Sequence, residues 1–216
     1  MRKLTIITFL ILCLVSVVHA ATDLNYTYVP VPPVRYFWEY DDFSSGNLDL
    51  TKWIEKQDPE GQPFMVQHYV DRQEGRYHTQ SVGSNDQRVV LHLTGYQFIV
   101  GDVLEYDVYY NSGSGGIFVY LNGGPVNRMP ANKCPTNIEG NLLGRHHIKL
   151  SFDPTNITFE LIDPNNFVSK CQIPINQRWQ YGGKTWSSSP PWMVGVESYS
   201  SGLIHADYDN FIISGF

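Results

Sequence analysis

After its first twenty residues the chain has no long apolar run, so nothing in residues 21–216 reads as a membrane-spanning helix. Basic side chains are few. Once Arg2 and Lys3 are set aside, 13 Lys and Arg face 21 Asp and Glu, a net charge of −8. That balance argues against nucleic acid or an anionic membrane as partner. Cysteine is scarce too, at three residues, with no C-x-x-C spacing for zinc or redox chemistry. No G-x-S-x-G elbow appears, and no phosphate-loop spacing, which removes serine-triad and nucleotide-dependent classes from the first rank. Helical periodicity does not persist beyond the first segment.

The chain does hold many aromatics (14 Tyr, 11 Phe, 5 Trp), 18 Gly, 13 Pro, and repeated period-two alternation. This is the profile of an all-β fold with many turns. The clearest case is Gly144–Pro164. Ile148, Leu150 and Phe152 alternate with His147, Lys149 and Ser151; after Asp153-Pro154-Thr155-Asn156, the residues Ile157, Phe159 and Leu161 alternate with Thr158, Glu160 and Ile162. This predicts a β-hairpin with one buried face, which a second sheet must cover. Further strands are predicted around Phe64–Tyr69, Val89–Leu93, Leu104–Tyr110, Ile117–Leu121, Met193–Glu197 and Tyr208–Ile213. Leu48, Leu50 and Trp53 are expected core anchors beyond the turn Ser44–Asn47.

Arg2 and Lys3, the apolar run Leu4–Val18 and the small Ala20 predict a secretory signal peptide over 1–20, cut after Ala20. Residues 21–36, with three prolines, read as an extended leader, and 37–216 as one domain. The expected location is secreted, extracellular or at the cell surface. There Cys134 and Cys171 form an even pair whose natural reading is a disulfide, and the sequons at Asn25 and Asn156 are available for glycosylation.

Several segments together resemble the concanavalin A-like lectin/glucanase superfamily, in particular laminarinase-type family 16 glycoside hydrolases and laminin-G-like modules. They are DDFSSGNLDLTKW (41–53), GDVLEYDVYYNSGSGGIFVYLNGG (101–124), GRHHIKLSFDPTNITFELIDP (144–164) and HADYDNFIISGF (205–216), in the family's order. The resemblance implies a two-sheet antiparallel β-sandwich of the jelly-roll type. It also implies a structural calcium near the opening and closing strands, with Asp209 and Asp42 (or Asp41) as ligands.

The family's catalytic strand reads E-x-D-x-E or E-x-D-x-x-E. Here Glu105 and Asp107 are followed by Tyr109 and Tyr110, so the third carboxylate is missing; the stretch 125–143 holds only Glu139. The expected function is therefore non-catalytic binding of an extracellular polysaccharide or glycan, or surface attachment. Alternatives are a glycoside hydrolase or polysaccharide lyase on the same fold, revived by a second acid beside Glu105 and Asp107, and a structural module of the cell envelope. Glu105, Asp107, Tyr109, Phe118, Tyr120, Trp179 and Trp186 are the candidate sugar contacts, although a solvated strand face is the plain reading of the two acids. Adjacent His146 and His147 must point to opposite faces of a strand; His68, His78 and His92 read as polar surface or satisfied core.

Overall fold

A computed structural model describes residues 36–58, 66–81, 88–112, 115–125, 137–138, 143–181, 183–199 and 205–215. The segments read as signal peptide and leader, together with Asn25, Cys134, Glu139 and the 83–86 turn, lie outside the described residues, apart from Tyr36. The described chain is all-β. Its strands are β1 (Tyr36–Asp41), β2 (Trp53–Asp58), β3 (Val66–Asp71), β4 (Arg76–Ser81), β5 (Arg88–Leu93), β6 (Val103–Ser112), β7 (Gly115–Leu121) and β8 (Gly124–Pro125). They continue with β9 (Asn137–Ile138), β10 (Gly144–Phe152), β11 (Asn156–Ile162), β12 (Val168–Pro174), β13 (Arg178–Tyr181), β14 (Lys184–Ser187), β15 (Val194–Tyr199) and β16 (His205–Gly215).

An eight-stranded antiparallel sheet runs β12-β11-β10-β6-β16-β4-β3, with β1 also paired to β16. A six-stranded sheet runs β2-β5-β15-β7-β8, with β9 on β7, and β13 and β14 form a separate ribbon. The β10–β11 hairpin has the expected register, Ile148 opposite Leu161 and Leu150 opposite Phe159, and its six alternating apolar residues are buried. Residues 101–124 do not form a hairpin, because β6 belongs to the larger sheet and β7 to the smaller one. The chain thus passes from one layer of the sandwich to the other between β6 and β7.

The core lies between the inner faces. Trp53 from the smaller sheet meets Phe211 of β16 edge-on at 4.8 Å, and Phe211 stacks on Tyr106 of β6 at 4.8 Å. Each such fully buried side chain contributes roughly 1.5–3 kcal/mol by area. The opening motif is structural: the Trp53 indole N–H donates to Asp41 Oδ2 at 2.7 Å, while Asp41 Oδ1 accepts from the Phe43 N–H at 2.9 Å. Leu50, expected in the core, is 74% exposed. The chain turns there, with the Lys52 and Trp53 N–H groups both donating to Asp49 O, so the alternation begun at Leu48 does not carry on. Leu48 itself packs partly against the core.

Candidate functional site on the outer face of the larger sheet

Strand β6 alternates, with Leu104, Tyr106, Val108 and Tyr110 facing the core and Glu105, Asp107 and Tyr109 facing outward. Its neighbours decide what those outward residues meet. The β10 register sets Lys149 opposite Glu105, His147 opposite Asp107 and Arg145 opposite Tyr109. On the other side β16 sets Asp209 opposite Asp107 and Asp207 opposite Tyr109.

Asp107 is not the solvated strand acid that its sequence position suggests; only 1% of its surface is exposed. Its Oδ1 accepts from His147 Nδ1 at 2.9 Å and Arg145 Nε at 3.0 Å, and its Oδ2 accepts from Asn210 Nδ2 at 2.9 Å. Burial pushes the Asp107 carboxyl up, but the three donors outweigh it and hold the group below the usual carboxylate range. The same hydrogen bond raises His147, against the opposing effect of its burial.

Asn210 reaches Asp107 because β16 bulges. Between Asp209 and Ile212 the strand advances three residues while β6 advances two. Asn210 takes a positive φ of 54° there, a conformation asparagine tolerates better than most residues.

Beside this cluster the Arg76 guanidinium lies 3.8 Å from the Tyr109 ring centroid, and its Nε stands 3.7 Å from Asp209 Oδ2. Burial pushes the Asp209 carboxyl up to about 6, with the Asp107 and Asp42 charges adding to the effect and the Asn210 N–H and Arg76 opposing it. On the β10 side an open cleft of about 400 Å³ is lined by Arg145, His147, Ile162, Asp163, Pro164 and Asn166. Below it Glu105, Lys149, Glu160 and Lys170 form a cross-strand ladder of alternating charge. Its exposed pairs, such as Lys170–Glu160 at 2.8 Å, each contribute about 1 kcal/mol or less.

Of the residues expected at a sugar site, Glu105, Asp107 and Tyr109 come together here, and Tyr120, Trp179 and Trp186 do not join them. Tyr120 is buried on the far side of the smaller sheet, where its hydroxyl donates to the fully buried Glu197 at 2.7 Å. Trp179 is 3% exposed and belongs to the core, and Trp186 is half-buried opposite it on the β13–β14 ribbon. Both indoles press on Gly124, where an added Cβ would stand 2.4 Å from Trp186 Cγ and 2.8 Å from Trp179 Cζ2. The Phe118 side chain lies outside the described residues.

Asp42 accepts the Ser44 N–H at 3.0 Å as a local turn bond, and Asp209 faces the Arg76 guanidinium. A hard cation needs six to eight oxygens and no neighbouring positive charge, so this pair does not fit a calcium ion. Asn156 opens β11, its amide donating to Thr155 Oγ1 at 3.0 Å. Cys171 lies half-buried on β12 opposite Phe159.

Arg145, His147, Asn210 and Arg76 were not read as site residues, and Asp209 was read only as a calcium ligand. The alternation placed His147 on the polar face with Lys149, but only the β10–β6 register shows that it meets Asp107.

No protein-family model matches the sequence, and no curated protein matches it. Solved structures do. One comes from work on endo-acting O-glycanases that prominent members of the human gut microbiota express to initiate mucin breakdown; it is 11% identical, covers 83% of this chain and 98% of its own, and has a TM-score of 0.50. A seed lectin of Lotus tetragonolobus is 8% identical over 84% of this chain and 97% of its own (TM-score 0.48). A pseudo beta-1,3-glucanase of Mycobacterium tuberculosis is 12% identical over 83% and 97% (TM-score 0.46). The fold is an antiparallel β-sandwich. At these identities the similarity speaks to the fold alone.

Proposed function

We propose that the protein is an exported carbohydrate-binding protein that holds a glycan on the outer face of the eight-stranded sheet, across Tyr109, the Asp107 cluster and the adjoining cleft. The observation that carries this reading is the Asp107 carboxylate, buried in the middle of an otherwise open face and held by three side-chain donors. A glycan presents rows of hydroxyls that both donate and accept. Matching them takes polar groups fixed in direction, beside a planar surface for the sugar ring. The locked Arg145, His147 and Asn210 supply the first, and the stacked Arg76 and Tyr109 the second. Glycans are also what the O-glycanases of similar fold act on, which is an analogy of fold.

The test is affinity electrophoresis of the secreted chain through gels containing a panel of soluble polysaccharides. Retardation by one polymer, reduced at least tenfold in apparent affinity by Arg145→Ala, supports the reading. Arg145 is well exposed, at 58% of its side chain, so this variant keeps the fold. Absence of retardation across the panel, with the protein folded, would overturn it in favour of a structural envelope module.

A second reading, glycoside hydrolysis, is favoured by one placement. Asp209 stands directly opposite Asp107 on the same face, so the second acid that β6 lacks is present on the adjacent strand. Retaining hydrolysis needs two carboxyl groups about 5–5.5 Å apart, a separation neighbouring strands provide. Shortening of the retarding polymer, abolished by Asp209→Asn with retardation kept, would establish catalysis; unchanged polymer length leaves the protein a binder.

The proposal includes export with cleavage after Ala20, a Cys134–Cys171 disulfide and glycosylation at Asn25 and Asn156.

A further inference from the structure

At the β4 side of the same sheet, three metal-ligating side chains converge that the glycan reading does not use. Asp207 on β16 pairs directly with His78 on β4, and His205 precedes Asp207 by two residues, so all three project from one face. Their ligand atoms lie within 4.8 Å of one another. His78 Nδ1 is 2.7 Å from Asp207 Oδ1, and His205 Nε2 is 3.7 Å from the same oxygen.

The surroundings fix these groups. Tyr69 stacks on the His78 ring at 4.6 Å, and the His78 and His205 rings meet edge-on at 4.4 Å. A second irregularity adds a fourth group: β6 advances from Tyr110 to Ser112 while β16 advances only from Ala206 to His205, leaving Asn111 as the extra residue. Its amide nitrogen lies 3.2 Å from His205 Nε2 and 2.5 Å from Asp207 Oδ2. Rotating the Asn111 amide by half a turn would instead present its oxygen.

We propose that His78, His205 and Asp207 form a site for one divalent transition-metal ion. Two imidazoles and one carboxylate suit zinc and its first-row neighbours rather than calcium or magnesium, which select all-oxygen sets. Metal–ligand bonds of roughly 2.0–2.2 Å put neighbouring donors roughly 3–3.5 Å apart. The separations here run up to 4.8 Å, so closing the site draws the widest pair together by more than about 1 Å, which rotation of the partly exposed His205 side chain can supply. His78 and Asp207 are buried, whereas His205 is about a third exposed, which leaves a coordination position facing solvent. The site stands whether or not a glycan binds the neighbouring face.

The test uses the secreted chain without a histidine tag, stripped with a chelator and dialysed. Zinc chloride is titrated calorimetrically, and cobalt(II) is followed by its visible absorption. We expect one equivalent per chain, visible bands of a low-coordinate cobalt site, and a rise in Tm with zinc. His205→Ala and His205→Gln should each weaken binding at least tenfold and remove the zinc-dependent rise in Tm while leaving the metal-free Tm near wild type. Binding without saturation near one equivalent would overturn the proposal, as would unchanged affinity in both variants. If the alanine variant fails to fold, the glutamine variant decides.

Discussion

Asp107 owes its ionised state to two strands and a bulge, so its loss should be felt in stability as well as in binding. Asp107→Asn leaves His147 and Arg145 without their charged acceptor. We expect a loss of about 2 kcal/mol in urea unfolding, the scale of a charge-assisted hydrogen bond broken in a buried setting. The pH dependence has a definite sign. Asp107 is depressed on folding, so its stabilisation is present above the ordinary carboxylate value of 3.8 and lost as pH falls through the depressed one. His147 is raised, so its stabilisation is full below 6.5 and lost as pH rises through the raised value. The pair therefore stabilises most between pH 3.8 and 6.5. The urea midpoint of wild type should exceed that of His147→Gln in this window, and the gap should shrink in alkali. A gap constant with pH would mean that the ion pair does not govern it.

At the scale of elements, the β16 bulge separates backbone strain from side-chain contact. Asn210→Gly keeps the positive φ and loses only the donor to Asp107, while Asn210→Ala loses both. Alanine should be less stable than glycine by about 1 kcal/mol, measured by thermal or urea unfolding. On the smaller sheet, Gly124→Ala should destabilise by about 1–3 kcal/mol, because the two indoles seated on that glycine belong to packed structure.

These two elements also mark where sequence reading succeeds and stops. Alternation in 144–164 identified the hairpin, its turn and all six of its buried apolar residues, because burial of one sheet face writes itself as period two. The bulges at Asn111 and Asn210 leave no such mark, since one inserted residue is indistinguishable from ordinary alternation until the partner strand is known. Likewise Trp179 and Trp186 read as sugar platforms because an aromatic in a loop-rich stretch carries the same letter whether it meets ligand or a glycine. Leu50 failed for a related reason: the Asp49 turn interrupts the period after a single repeat.

At the scale of the molecule, the sandwich was legible from the order of four segments, while the strand order was not. Nothing local states that β6 is flanked by β10 and β16, which lie roughly 40 and 100 residues further on. That pairing brings the site together. The expected leader calls for its own measurement: intact mass and N-terminal sequencing of the secreted chain should give a start at Ala21, and a start at Met1 would remove the export argument. Non-reducing peptide mapping should recover Cys134 and Cys171 in one linked peptide.

Strand β16 lies inside the larger sheet, between β6 and β4, although it is made last of the strands described. While the chain is being synthesised, β12-β11-β10-β6 and β4-β3 can each zip up as separate ladders, and between them stays a gap with two exposed hydrogen-bonding edges. Only when residues 205–215 leave the ribosome or the translocation channel can the gap close. A nascent chain arrested at about residue 200 should therefore stay open to protease and bind holding chaperones, and releasing the last strand should switch it to the protected state in one step.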